Sequence, residues 1–374
     1  MDTDPSQSGE ALTYAQTGVD YGAMDPFKIA AQQAARKTSR NIEWLRLYET
    51  PESRGASAYL IEGSDHYLAH VEEGLGTKNL VAQAMYELTG KLYYGQSAQC
   101  CVGMIINDVI VSGASPLSVA MHLAVGESSW FDDQPRWHDL IDGWAHACML
   151  AECVWSGGET PTLKDIIMPG TIVLAGSAIG LIKPKRHLIT PSNIRAGDSI
   201  IIIESSGVHA NGLTLMRRIA DQLPHGYLTL MPDGRTYGET LLDPTHIYAR
   251  ATKACLAANI RIHGAENITG HGWRKLMRPV QPFTYVIDQL PTQQPIFDFI
   301  CEHGPVSDVE AYGNLNMGAG FVLYVPEGDV SSALSVLRNL GFRPVHAGYI
   351  EAGPRRVVIR PKNIEFLGNS LAIR

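Results

Sequence analysis

His209 and Asn211 stand in a loop of small and polar residues, Ser205-Ser206-Gly207-Val208-His209-Ala210-Asn211-Gly212. Both bring side-chain donors that would be expensive to bury unpaired. Ahead of the loop runs Ile200-Ile201-Ile202-Ile203, a β-branched series that predicts a strand buried on both faces. After it, Leu213, Leu215-Met216 and Ile219-Ala220 fall close to helical spacing. A strand-to-helix loop of this kind aims free backbone N–H groups and the positive end of a helix dipole at one point, which suits an anion. An ordinary turn with a surface histidine would show the same residues, so the loop alone decides nothing.

Other stretches carry comparable groups. Glu72-Glu73-Gly74-Leu75-Gly76-Thr77-Lys78 is a second glycine-rich loop, ahead of a helical pattern at Leu80 to Leu88. Cys100 to Val111 predicts a buried helix closed by Gly113 and Pro116, and Asn107-Asp108 interrupts it. A carboxylate in so apolar a segment needs a cation or a hydrogen-bond network; a local cap or pair would also answer. Trp155-Ser156-Gly157-Gly158-Glu159-Thr160-Pro161 is a third glycine-rich loop, with a carboxylate at its tip. Ile268-Thr269-Gly270-His271-Gly272-Trp273 turns into a helix carrying Arg274, Lys275 and Arg278, a further candidate anion-facing end. Lys28 falls in the first turn of a helix that Asp25 and Pro26 would start and Ile29 to Arg36 continue. A cation there runs against the dipole preference; a bound phosphate would explain it, and so would plain solvation.

These groups need a scaffold, and the chain supplies strands and helices in alternation. Ala56 to Ile61 and His66 to Val71 predict strands around Gly63-Ser64-Asp65, and Thr171 to Ile182 predicts another. Trp137, Leu140-Ile141, Trp144, Cys148 and Ala151 form a core-facing helical stripe to which no chemistry is assigned. Lys183-Pro184-Lys185-Arg186 breaks the apolar pattern and marks the domain boundary. The expected division is a disordered tail at 1–13, an N-terminal domain at 14–183 and a C-terminal domain at 184–374. In the second half, Asp243-Pro244-Thr245 predicts the start of a helix running to about Ala258. Strands at Gly320 to Val325, Pro344 to Ile350 and Arg356 to Ile359, with a helix from Val330 to Leu340, make this part α/β.

Composition narrows the class. A length of 374 residues suggests two domains with ample core. Apolar content of 45% with 18% charged residues is that of a soluble globular protein. A net charge of -8 gives no basic footprint, which argues against nucleic acid and anionic membrane as partners. No apolar run reaches the roughly eighteen residues of a membrane span, and Met1-Asp2-Thr3-Asp4-Pro5 is too acidic for a signal peptide, so a cytoplasmic protein is expected. The six cysteines show no metal-ligand spacing and read as buried small hydrophobes.

Taken together, Gly18-Val19-Asp20, Gly76-Thr77-Lys78, Asn107-Asp108 with Gly113-Ala114 and Pro116, Gly157-Gly158-Glu159-Thr160, Ser205-Ser206-Gly207 with His209 and Asn211-Gly212, Ile268-Thr269-Gly270 and Asn316-Met317-Gly318 occur in one order. From Tyr14 to about Arg360 the chain resembles the aminoimidazole ribonucleotide synthetases, or phosphoribosylformylglycinamidine cyclo-ligases. Selenophosphate synthetase and thiamine monophosphate kinase share that superfamily. The resemblance implies a two-domain α/β (α+β), ATP-binding cyclo-ligase-like fold. Its N-terminal domain would pair with its copy into a dimeric β-barrel, with a C-terminal α/β sandwich domain alongside. It implies a homodimer that uses ATP and magnesium to close the imidazole ring of formylglycinamidine ribonucleotide, releasing ADP and phosphate.

Carried onto this chain, Gly76, Thr77, Lys78, Asn107, Asp108, Gly157, Gly158, Glu159 and Thr160 would hold ATP, and Asp108, Glu73 and Glu159 the metal. Ser205, Ser206, Gly207, Gly212, Thr269 and Gly270 would bind the ribonucleotide, with His209, Lys28 and Asn211 catalytic. Such chemistry asks for neutralised charge and positioned reactants more than for a covalent nucleophile. Departures stand out: Glu73 replaces a usual Asp, Cys100 and Met121 stand where aspartates are expected, and His271 breaks an Ile-Thr-Gly-Gly-Gly run. Another ATP-using enzyme of the superfamily, of small-molecule kinase type, and a non-catalytic nucleotide-binding paralogue are the competing readings.

Overall fold

The computed structural model describes residues 21–304 and 306–371. The tail expected at 1–13 and the Gly18-Val19-Asp20 motif lie outside the described residues. In the N-terminal half β1 (Tyr48–Glu49), β2 (Tyr59–Glu62), β3 (Tyr67–Gly74), β4 (Ser115–Val125), β5 (Val154–Glu159) and β6 (Ile172–Ile182) form one sheet, in the order β1-β2-β3-β6-β4-β5. Neighbours are antiparallel except β4 and β5, which run parallel. Alternation along β6 separates a packed face, with Ile172, Leu174, Ala178 and Ile182 buried, from an outer face where Val173 and Ile179 are about half exposed.

Four helices accompany this sheet: α1 (Tyr21–Arg36), α2 (Lys78–Thr89), α3 (Tyr94–Ile110) and α4 (Gln134–Ala151). The apolar stretch around Cys100 to Val111 places α3 on the packed face of β3 and β6, and the tryptophan stripe packs α4 on α3. Gly95 and Gly143 meet at the α3–α4 crossing. A Cβ on Gly143 would lie 2.3 Å from the Gly95 Cα, so the crossing is that close only because both are bare.

In the C-terminal half β7 (Asp198–Glu204), β8 (Gly264–Asn267), β9 (Phe283–Ile287), β10 (Ala319–Pro326), β11 (Pro344–Ala352), β12 (Arg356–Ile359) and β13 (Ile364–Leu367) form a second sheet, ordered β13-β12-β9-β11-β7-β10-β8. Its helices are α5 (Leu213–Gln222), α6 (Tyr237–Leu241), α7 (Ala249–Ala257), α8 (Pro295–His303), α9 (Asp308–Asn314) and α10 (Val330–Asn339). The isoleucine strand β7 is central, antiparallel to β10 and β11, and buried along its whole length. Ile201 and Ile203 join the core built around α3, α4, α7 and α10. Ile200 and Ile202 join the core that contains Val81 and Met85 of α2 with α5 and α8. Each buried isoleucine contributes on the order of 2 kcal/mol, and the strand ties the two halves together on both its faces. The expected two-domain α/β architecture is therefore present. Among the described residues, no helix is long and apolar enough to cross a membrane.

Three local expectations need correction. α1 is already helical at Tyr21, and Pro26 lies inside it, so Asp25 and Pro26 do not start it; Pro26 withholds one N–H bond from the preceding turn. Residues 154–159 form the edge strand β5, paired with β4 through a bulge, where a loop was expected. The helix expected from Asp243 begins only at Ala249. The segment before it stays non-helical because its carbonyls serve side chains from elsewhere: Asp243 accepts from Lys78, Pro244 from Ser206, Thr245 from Gln99 and His246 from Asn107.

Candidate functional site

A cleft of about 450 Å³ opens between the halves, lined among others by Lys28, Glu73, Met104, Asp108, Asn211, Asn267, Thr269, Gly270, His271, Lys275 and Arg278. The groups arrive on several elements. Glu73 ends β3, Asp108 sits near the end of α3, Asn211 precedes α5, and Asn267 closes β8. Lys275 lies on the short 3-10 turn Gly272–Met277, with Arg278 just after it, and Lys28 comes from α1. That turn replaces the helix expected after Trp273. Its entry puts His271 at φ 69 and Gly272 at φ 50. A Cβ on Gly272 would meet the Tyr312 carbonyl at 2.4 Å, so glycine is required there.

Hydrogen bonds across the halves fix the floor of the cleft. Asn267 Nδ2 donates to Asp108 Oδ1 at 2.7 Å. Arg278 donates to Ser57 Oγ at 2.6 Å and to the Gly55 carbonyl at 3.3 Å, and its guanidinium stands 3.9 Å from Glu266. Lys275 Nζ donates to the Asn267 carbonyl at 3.2 Å and to Thr269 Oγ1. Buried Asp108 thus has the network its apolar helix called for. Lys28 pairs with Asp25 at 3.7 Å.

The charges here are confined. Burial, and then the neighbouring Asp108, push the Glu73 carboxyl up to about 7. Burial pushes Glu266 up to about 7 as well, even with Arg278 and Lys275 close by. Burial holds Lys275 below its ordinary value. His271 is lowered to about 3 by burial and then by Arg274 and Lys275, so its ring is neutral at neutral pH. Three cations and two carboxylates therefore face one polar space, and buried Asn211 Nδ2 has no hydrogen-bond partner among the described residues. An unpaired buried donor at a cleft wall fits an incoming acceptor.

The residues carried over by resemblance divide. Lys28, Glu73, Asp108, Asn211, Thr269 and Gly270 come together in the cleft. Gly76 and Thr77 stand at the start of α2, where Thr77 Oγ1 lies 3.3 Å from Thr214 Oγ1 at the start of α5, so two helix N-termini converge beside Asn211. Lys78 is fully buried, its Nζ donating to the carbonyls of His209 (2.7 Å) and Asp243 (2.8 Å). His209 is also buried, at φ 56, and its Nε2 accepts from the Ser206 N–H at 3.1 Å. Burial, His246 and Lys78 hold that ring well below its ordinary pKa, which keeps it a neutral acceptor. Asn107 bonds the His246 carbonyl and the Tyr248 N–H across the domain contact.

Ser205 and Ser206 face a second cavity of about 710 Å³ with Glu204, His246, Arg338 and Arg343. Gly207 offers its carbonyl to Asn316, and Gly212, at φ 81, opens α5. Gly157, Gly158, Glu159 and Thr160 lie at or just beyond the exposed end of β5, with β6 and β4 between them and β3. Within this chain Glu159 does not join Glu73 and Asp108. Among the described residues no cluster of three or more His, Cys, Asp or Glu is disposed to hold a metal ion. The two remaining carboxylates suit magnesium, which binds through one or two carboxylates plus phosphate oxygens. Sequence reasoning missed Glu266 and Asn267, because Gly264–Asn267 is too short to show a strand period. Lys275 and Arg278 were visible as cations, but not as the floor of this cleft.

Residues 55–182 match the family model of AIR synthase related protein, N-terminal domain, and residues 195–360 that of its C-terminal domain. The phosphoribosylformylglycinamidine cyclo-ligase of Carboxydothermus hydrogenoformans is 32% identical over 363 residues, covering 94% of this chain and 99% of that protein. The protein of the same name from Thermococcus kodakarensis is 35% identical over 345 residues, covering 92% and 96%. Among solved structures, T. maritima PurL complexed with FGAR aligns with a TM-score of 0.60 at 16% identity, covering 90% of this chain and 50% of that one. That likeness speaks for the fold.

Proposed function

Because the chain belongs to the AIR synthase related family, we propose that it closes the imidazole ring of formylglycinamidine ribonucleotide at the expense of ATP. The products are aminoimidazole ribonucleotide, ADP and phosphate, and the enzyme is a magnesium-dependent, cytoplasmic homodimer. The observation that carries this reading is the cleft itself, where Lys28, Lys275, Arg278 and the unpaired Asn211 donor face Glu73 and Asp108. Phosphoryl transfer to the formamide oxygen creates a leaving group, after which the amidine nitrogen attacks the same carbon and phosphate departs. Such a reaction is served by fixed donors and cations around the moving phosphoryl group.

In this reading Lys28, Lys275 and Arg278 spread phosphate charge, Asn211 donates to a phosphate or formyl oxygen, and Thr269 with Gly270 borders the ribonucleotide. Glu73 and Asp108 would hold magnesium, which neutralises phosphate charge. Lys78 and His209 serve by holding the loop that presents Asn211, and Asn107 by holding the halves together. We place the domain boundary at residue 183, between the two sheets. Support comes from the relatives named for this reaction and from the ATP-complexed PurL, which aligns with a TM-score of 0.56 over 90% of this chain.

The test is purified protein with ATP, magnesium and formylglycinamidine ribonucleotide, scoring ADP and aminoimidazole together. Equal yields of both support the reading. ADP released only with another acceptor, or nucleotide bound without turnover, overturns it.

A further inference from the structure

Cys148 and Cys153 lie outside the cleft, at the junction where α4 ends and β5 begins. The junction is built by a left-handed cap. Glu152 takes φ 56, and the Cys153 N–H bonds the Cys148 carbonyl at 3.1 Å. In that capping motif the residue after the left-handed one folds back over the last helical turn, so their side chains touch. Here both residues are cysteines, each thiol the neighbour that most shifts the other, and Cys153 packs against the core that holds Cys148. Their surroundings differ. Cys148 is 4% exposed in the core against α3, while Cys153 is partly open to solvent, with exposed Val154 next to it in the chain. Two thiols brought together by one capping turn, one shielded and one reachable, suit an attacking and a resolving group.

We propose that Cys148 and Cys153 are a modification site at which hydrogen peroxide forms a reversible disulfide. The Cys153 thiolate attacks the peroxide oxygen, breaking the O–O bond and giving a sulfenic acid and one water. The Cys148 sulfur then attacks the Cys153 sulfur, the S–O bond breaks, and a second water leaves. Two thiols are oxidised by two electrons and one peroxide is reduced. The neighbouring Cys148 thiol holds the Cys153 thiol below its ordinary pKa, which favours it as the attacking member. The covalent link would join the end of α4 to the strand that carries Gly157, Gly158 and Glu159.

The sequence makes the test clean. No Lys or Arg lies between Arg136 and Lys164, so one tryptic peptide, residues 137–164, contains both thiols and no other cysteine. Full-length protein is treated with limiting hydrogen peroxide, alkylated, digested and weighed. The expected peptide carries no alkyl group and two hydrogens fewer, and dithiothreitol restores double alkylation. Cys148→Ser should instead leave a sulfenic acid at Cys153 that dimedone traps, while Cys301→Ser should close the bridge as the wild type does. A wild-type peptide that stays doubly alkylated overturns the proposal. So does Cys153 advancing to sulfinic acid without bridging.

Discussion

Asn211 is the residue whose environment in the cleft is least explained by folding. Its Nδ2 is buried at the cleft wall with no acceptor among the described residues, while the loop around it is held by other side chains. Replacing it by Ala removes an unpaired donor, so folding should be unchanged or slightly improved. If the donor meets charge that develops during transfer, turnover should fall about 100-fold. Parallel thermal melts and ADP-release kinetics separate the two effects; unchanged turnover would remove Asn211 from the chemistry. A second residue-scale expectation concerns Glu266, buried on β8 with its carboxyl pushed up to about 7 from 4.5. Below about 4.5 both folded and unfolded chains hold this proton, and above about 7 neither does. Between those limits only the folded carboxyl keeps it, so the folded state loses stability as pH rises through the window. Glu266→Gln abolishes that loss. Its stability relative to wild type should rise from pH 5 to pH 8 by up to about 3 kcal/mol, read from urea unfolding midpoints. A constant gap between the two proteins would show that Glu266 does not titrate this way.

At the scale of elements, Lys78 shows what a side chain's place in the sequence leaves undecided. At the start of α2 it looks like a phosphate ligand, yet its ammonium is spent on two carbonyls, His209 before α5 and Asp243 before α7. It is a strut joining three elements. Lys78→Met should leave those carbonyls without a donor and cost about 3 kcal/mol of stability, with a raised KM for ATP as the loop relaxes. A weakened KM at full stability would restore the direct role.

The same pattern explains what the sequence made legible. β7, its loop and α5 were readable because four β-branched residues, a glycine-bearing turn and a helical period agree with one another. α3 and α4 were readable from long apolar stripes. The segment 243–248 was not, since Asp-Pro-Thr looks like a helix start. Only the side chains of Lys78, Gln99, Asn107 and Ser206, distant in sequence, hold it open. Four residues seldom show a period of two: β12 was marked by its Val357-Val358-Ile359 run, whereas Gly264-Ala265-Glu266-Asn267 of β8 has no β-branched residue. The cleft was legible as separate loops. Its floor, where Asn267 meets Asp108 and Arg278 meets Ser57 and Gly55, exists only once the two halves meet.

The whole molecule presents one feature that a single chain leaves unused. In the six-stranded sheet, α3 and α4 cover one face, and Val173 and Ile179 of β6 stand about half exposed on the other. Strands β3 and β4 flank β6 and set His70 opposite Ile179 and Ala124 opposite Val173. Apolar side chains repeated along a central strand of a twisted sheet suit burial against a matching sheet, and a two-fold axis supplies that match from an identical copy. The proposed homodimer would close two such sheets on one another face to face. Light scattering at micromolar concentration should then give twice the 40.8 kDa of one chain. Ile179→Glu places a carboxylate from each copy inside that contact, where burial without a partner costs several kcal/mol, and the variant should run as a monomer. Because Ile179 points away from the α3 core, its unfolding temperature should move little by comparison. That contrast separates lost pairing from lost folding. A wild-type protein that is already monomeric would leave the outer face without an occupant and remove the barrel from this account.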